Sequence, residues 1–110
     1  MSETDAPVRY CAVVQLDRSS TLQRISAIAP AIVKMIERWS KGEMEQLSRS
    51  NDGQTFGYLF RSTKPLGMMQ AEFAATAATH NKDAIIIFAA GKDVVASEGF
   101  TRAGTWLQRH

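Results

Sequence analysis

The sequence predicts an α+β domain whose elements follow the order β-α-β-β-α-β. Three observations lead to this prediction. Residues 8–16 alternate between apolar and other side chains, which is typical of a half-buried strand. Residues 22–39 carry apolar side chains at spacings of three and four, which is typical of a helix. A hairpin signal, Asn51, Asp52 and Gly53, separates two further strand-like segments.

The first strand has two unlike faces. Arg9 and Gln15 mark one face as the more polar, and Cys11 lies on that same face. We interpret this single cysteine as a small strand residue, because no histidine or helix N-terminus that could activate a thiolate is evident nearby. The opposite, apolar face carries Val8, Tyr10, Ala12, Val14 and Leu16.

The first helix is predicted to begin near Ser20, because Ser20 and Gln23 match a capping box. Pro30 lies inside it, and an interior proline removes a backbone hydrogen bond at a cost of about 3 kcal/mol. The apolar spacing nevertheless continues through Pro30, so one kinked helix is favoured over two short helices. The residues expected to be buried on one side are Leu22, Ile25, Ile32, Ile36 and Trp39.

The second half of the chain continues the pattern. A polar strand over residues 43–50 and an aromatic strand over residues 54–62 flank the turn, and Pro65 suits the first turn of a second helix. Residues 84–89 are apolar on both faces, which predicts a central strand. Residues 94–96 provide an optional short extra strand. The second helix is expected to contain Met68, Met69, Phe73, Ala74, Ala77 and Ala78.

This order matches the ferredoxin-like plan, in which an antiparallel four-stranded sheet carries two helices on one face. Residues 1–7 are expected to form a flexible lead-in, and residues 8–110 a single domain with a C-terminal tail. The other sheet face must then be solvated, covered by the tail or buried in a partner. The plan hosts many unrelated functions and therefore implies none by itself.

The composition narrows the class of protein. Thirteen basic and eleven acidic residues give a net charge of only +2, well short of the basic excess of a dedicated duplex-DNA binder. No apolar run approaches the roughly 18 residues needed to cross a bilayer. The acidic, polar start does not resemble a secretory signal. A soluble, cytoplasmic domain without membrane contact is the expectation.

The aromatic strand places Phe56, Tyr58 and Phe60 on one face. Turned outward, they would form a stacking platform or a partner surface; turned inward, they would be core. If the aromatic residues turn inward, Gly57 and Arg61 lie outside, and both suit that position. The inward arrangement is therefore favoured.

Residues 56–59, with the sequence Phe-Gly-Tyr-Leu, resemble the middle of the third-strand motif of the RNA-recognition family. The resemblance covers these four positions, whereas Gln54, Thr55 and Arg61 depart from the motif. It implies that Phe56 and Tyr58 would stack on unpaired bases. The basic residues elsewhere are dispersed among acidic ones, as on a solvated surface.

No spacing of His, Cys, Asp or Glu matches a metal site, and no catalytic set is recognisable, so neither a metal nor a cofactor is expected. Asp83, Asp93 and Glu98 lie near one end of the predicted sheet and could do acid–base chemistry as a pair of carboxylates, but a solvated role is favoured for them. An enzyme is therefore the less favoured class.

The expected function is the binding of another macromolecule, foremost a protein or a second copy of this chain, by a small non-enzymatic domain of inhibitor, immunity or adaptor type. Single-stranded nucleic-acid binding and a small enzyme or ligand-binding domain remain as alternatives. The tail is expected to dock on the domain or on a second copy with Trp106 as its anchor. The candidate binding residues are Phe56, Tyr58, Phe60, Phe100, Trp106 and Leu107.

Overall fold

The computed structural model describes residues 6–76 and 82–91, together with Trp106 and Arg109. The predicted α+β class and the element order are confirmed within these residues. The extra strand expected at residues 94–96 lies outside them. The elements are β1 (Val8–Gln15), α1 (Leu22–Ser40), β2 (Met44–Arg49), β3 (Thr55–Ser62), α2 (Leu66–Ala75) and β4 (Ala84–Ala89).

The four strands form one sheet in the order β2-β3-β1-β4, and all neighbours are antiparallel. β1 pairs with β3 along its whole length and with β4 from Tyr10 to Gln15. The prediction that residues 84–89 form a central strand is wrong for the described sheet, in which β4 lies at an edge. Ile85 and Ile87 pack against the core, whereas Ile86 and Phe88 are exposed, so apolar side chains on both faces did not mean burial on both.

α1 begins one residue later than a cap at Ser20 would place it. Thr21 is the N-cap, and its hydroxyl accepts a hydrogen bond from the Arg24 backbone N–H at 3.1 Å. The Ser20 hydroxyl instead accepts from the Arg24 guanidinium at 2.6 Å. Leu22 was expected to be buried and is 77% exposed, because it borders an open groove beside the β2–β3 hairpin.

Pro30 does not divide α1, which is one helix from Leu22 to Ser40 with the proline on its exposed side. The helix ends where Lys41 and Gly42 adopt positive φ angles of 53° and 88°. The Gly42 N–H donates to the Glu37 carbonyl at 3.1 Å and so satisfies one of the last helical carbonyls. No helix in the described part of the chain is long and apolar enough to span a bilayer.

The main core lies between the helices and one face of the sheet. Phe60 has no exposed surface, and its ring centroid lies 5.5 Å from that of Tyr10 and 6.1 Å from that of Trp39. The helices therefore cover the aromatic face of β3, as the favoured arrangement required. The predicted stripe of α1 is confirmed except at Leu22. The other buried members are Ala12, Val14, Leu16, Ile25, Ile32, Met35, Ile36, Phe56, Met69 and Phe73.

Glu72 links α2 to its neighbours at the margin of this core. Its carboxylate accepts a hydrogen bond from Lys64 Nζ at 2.8 Å and lies 3.6 Å from the Arg38 guanidinium. The Lys64 hydrogen bond is the main reason that the pKa of Glu72 falls below its ordinary value. The Trp39 indole N–H adds to this effect without reaching hydrogen-bond geometry.

Truncation of Ile32 should distinguish the buried face of α1 from the face that borders the groove. Ile32→Ala should lower the free energy of unfolding by about 2–5 kcal/mol, because Ile32 has no exposed surface. The matched control is Leu22→Ala, which should cost less than about 0.5 kcal/mol because Leu22 is largely in water. Urea unfolding followed by circular dichroism measures both. Equal losses in the two variants would contradict the assigned faces of α1.

The stability supplied by Glu72 should depend on pH. Its folded pKa is lowered, so its contribution is complete above the ordinary glutamate pKa of about 4.3 and is lost as the pH falls through the lower folded value. Glu72→Gln should therefore narrow the gap in unfolding midpoint between pH 7 and pH 3. Glu37→Gln, on the exposed side of α1, serves as the control. An unchanged gap in the Glu72 variant would show that the Lys64 contact does not form in solution.

Candidate functional site

The aromatic strand does not present the stacking platform that its motif implied. Phe56 is 3% exposed and Phe60 is fully buried, so a base could reach neither ring without displacing the helices. Tyr58 keeps partial exposure. The Phe56 and Tyr58 rings lie 6.4 Å apart at 80°, an edge-to-face contact rather than two parallel surfaces.

Tyr58 instead lines a groove of about 260 Å³ between α1 and the β2–β3 hairpin. Burial raises the pKa of the Tyr58 phenol, and the nearby Arg49 guanidinium opposes that effect only in part. The phenol therefore stays protonated near neutral pH and can donate a hydrogen bond. Asp52, on the rim, accepts from the Ser50 hydroxyl at 2.6 Å, and this contact lowers the pKa of Asp52.

Trp106 covers part of the opposite sheet face. It is 7% exposed and packs with Cys11 of β1 and Leu59 of β3, with Val13 and Leu47 at the margin. Trp106, the expected anchor of the tail, thus packs on the domain itself. Phe100 and Leu107, the other candidates from the tail, lie outside the described residues.

Cys11 lies beneath this tryptophan as a free, buried cysteine. Burial raises the pKa of its thiol, so the thiolate that nucleophilic or metal chemistry requires is disfavoured. Within residues 6–76 and 82–91, no group of three or more His, Cys, Asp or Glu side chains comes together as a metal site would require. These observations fit a structural role for Cys11.

Asp83 is held in an ion pair. Its two oxygens accept from the Arg24 guanidinium at 3.1 and 2.6 Å, and one also accepts the Asp17 backbone N–H at 2.8 Å. The Asp83 side chain is fully buried, and this pair raises the pKa of Arg24. Asp83 thus ties α1 and the β1–α1 connection to the start of β4. The other two carboxylates considered with it, Asp93 and Glu98, lie outside the described residues.

Among the described residues, four large exposed apolar side chains of α2 and β4 form a feature that the sequence interpretation missed. We define the α2–β4 edge as Leu66 and Met68 of α2 with Ile86 and Phe88 of β4; these side chains are 41%, 57%, 60% and 48% exposed, respectively. Leu66 and Ile86 border one groove of about 330 Å³ that runs between the helix and the strand.

The α2–β4 edge is also nearly free of charge. Glu72 is the only charged residue in the sequences of α2 and β4, and Lys64 pairs with it. A helix and a strand that are apolar on several faces normally indicate full burial, which is why the sequence predicted an interior position for β4. The sequence therefore did contain a signal for this exposed edge, namely more apolar residues in α2 and β4 than the core uses.

Removal of the Trp106 side chain should expose Cys11. In Trp106→Ala, the rate at which a disulfide reagent labels Cys11 under native conditions should rise, because the indole that covers the thiol is gone. Ile32→Ala is the matched control, since it weakens the core on the other face of the sheet. If labelling requires global unfolding, the two variants will label in proportion to their lost stability. That result would contradict local shielding by Trp106.

Comparisons with protein-family models, with curated proteins and with solved structures find no match for this chain.

Proposed function

We propose that this chain is a small, non-enzymatic domain that binds another protein through the α2–β4 edge. The observation that carries the proposal is the exposure of Ile86 and Phe88, at 60% and 48%, on an edge strand without a charged residue. Contiguous exposed apolar patches mark interaction surfaces, whereas apolar residues that are scattered singly need no such explanation.

The chemistry of a strand edge favours a protein as the partner. β1 is the only strand that pairs with β4 in the described sheet, so the other side of β4 offers backbone N–H and C=O groups. Natural edge strands are commonly blunted by lysine, proline or a bulge, and β4 has none of these. A partner strand can satisfy the backbone groups while its side chains cover Ile86 and Phe88.

Nucleic acid suits this surface poorly. Binding to phosphates needs Lys or Arg, and neither occurs in α2 or β4. Of the two aromatic residues that would stack on bases, Phe56 is in the core and Tyr58 is partly buried beside it. The alternative of a small enzyme finds equally little support, because Cys11 and Asp83 are held in structural contacts.

We further infer the ferredoxin-like plan and a cytoplasmic location. In the order β2-β3-β1-β4, each helix joins two strands separated by one intervening strand, which is the split βαβ arrangement. The free, buried Cys11 is in keeping with a reducing compartment. The partner is either a different protein or a second copy of this chain.

A photo-crosslinking amino acid at position 88, in the full chain inside the expressing cell, tests the proposed function. We expect covalent adducts with protein, identified by mass spectrometry, because Phe88 lies half exposed on the edge. The same group at Lys34, exposed on α1, is the control and should give far fewer adducts. Adducts with nucleic acid, or equal yields at both positions, would overturn the proposal.

A further inference from the structure

We propose that the α2–β4 edge is a homodimer interface in which β4 of one copy pairs antiparallel with β4 of a second copy about a two-fold axis at Ile87. This inference rests on the proposed function and names its partner. The interface would extend the four-stranded sheet into one of eight strands. It would also place the two α2 helices beside each other on the same side of the sheet.

The backbone of β4 determines which residues can pair outward. The Ala90 N–H donates to the Arg9 carbonyl at 2.8 Å, which makes Arg9 and Ala90 a hydrogen-bonded pair of the β1–β4 ladder. Hydrogen-bonded and non-hydrogen-bonded pairs alternate along an antiparallel ladder. Ile86 and Phe88 therefore direct their backbone groups toward β1, and the residues that alternate with them direct theirs away from it. Those outward residues are Ile85, Ile87 and Ala89.

This alternation limits the possible β4–β4 registers, because outward residues must pair with outward residues. With the axis at Ile87, Ile87 faces its own copy and Ile85 faces Ala89 of the second strand. Every outward backbone group of β4 then finds a partner. An axis at Ile86 would also pair Ile85 with Ile87, but it would place Phe88 opposite Ala84 and Ile86 opposite its own copy. The axis at Ile87 is therefore the one that places the two large exposed residues of β4 opposite each other.

The same register matches the exposed side chains. It places Ile86 of each copy directly opposite Phe88 of the other, on the sheet face away from the helices. An aromatic residue beside a β-branched one is a favourable cross-strand pair. The two large exposed residues of β4 would thus cover each other twice, as a two-fold interface requires.

Charge favours a second copy over an unrelated partner. Glu72, the one charged residue of α2 and β4, pairs with Lys64, so these two elements offer no unpaired charge for a different protein to complement. Homodimer interfaces are more apolar than the interfaces of transient complexes, which keep a polar composition. Leu66, on the far wall of the groove beside Ile86, would add apolar contact between the flanking helices.

The molar mass of the full chain, measured by sedimentation over a range of concentrations, tests the inference. We expect a dimer of twice the 12.1 kDa chain. The double variant Ile86→Lys/Phe88→Lys should be a folded monomer, because lysines would face lysines across the axis. Leu22→Lys is the matched control: it places a lysine at an apolar residue that is 77% exposed on α1, and it should remain dimeric.

A charge-reversed partner tests whether β4 of one copy faces β4 of the other. The variant Ile86→Glu/Phe88→Glu should also be monomeric, and an equimolar mixture of the Lys and Glu variants should recover the dimer mass. A wild-type monomer, or a dimer that survives both double variants, would overturn the inference. If the chain is a monomer and the crosslinker at position 88 forms adducts with a different protein, the second copy is not the partner. The proposed function would then still stand. Hydrogen-exchange protection of Ile85 and Ile87 in a monomer would instead assign the edge to contacts within the chain.

Discussion

The central strands β1 and β3 carry apolar side chains on both faces, and the rest of the structure depends on covering both. Phe60 contacts Tyr10 and Trp39 on one face, where α1 and α2 exclude water. Cys11 and Leu59 occupy the other face, where Trp106 packs on them. α1 and α2 thus cover one face of the central strands, and a residue distant in sequence covers part of the other.

The sequence predicts those parts of the fold that local periodicity controls. Alternation in residues 8–16 and the three–four spacing of α1 identify their buried faces because each pattern depends on neighbours along the chain. Ser20 and Thr21 both offer a hydroxyl, so composition could not say which one caps α1. The position of β4 in the sheet depends on pairing between distant segments. An apolar run has the same sequence pattern in a central strand and in an edge strand.

The candidate site was less predictable for the same reason. The sequence pattern makes Phe56, Tyr58 and Phe60 candidate binding residues. The helices bury two of them and leave only Tyr58 partly exposed. Surface that remains exposed is a property of the assembled molecule. Ile86 is unremarkable within its strand, and becomes informative only once β4 is seen to lack a second described neighbour. The Arg24–Asp83 pair likewise joins residues that no local pattern connects.

The pairing of β1 has a consequence for the order in which the chain assembles. During synthesis β1 emerges first, but its partners β3 and β4 lie in the middle and near the end of the chain. The β2–β3 hairpin is the one strand pair that local contacts can form early. The two hydrogen-bonding edges of β1 therefore stay unpaired until β3 and then β4 have been synthesised. The nascent chain is most vulnerable to aggregation in that interval, and chaperone contact should concentrate on the strand that later becomes the centre of the sheet.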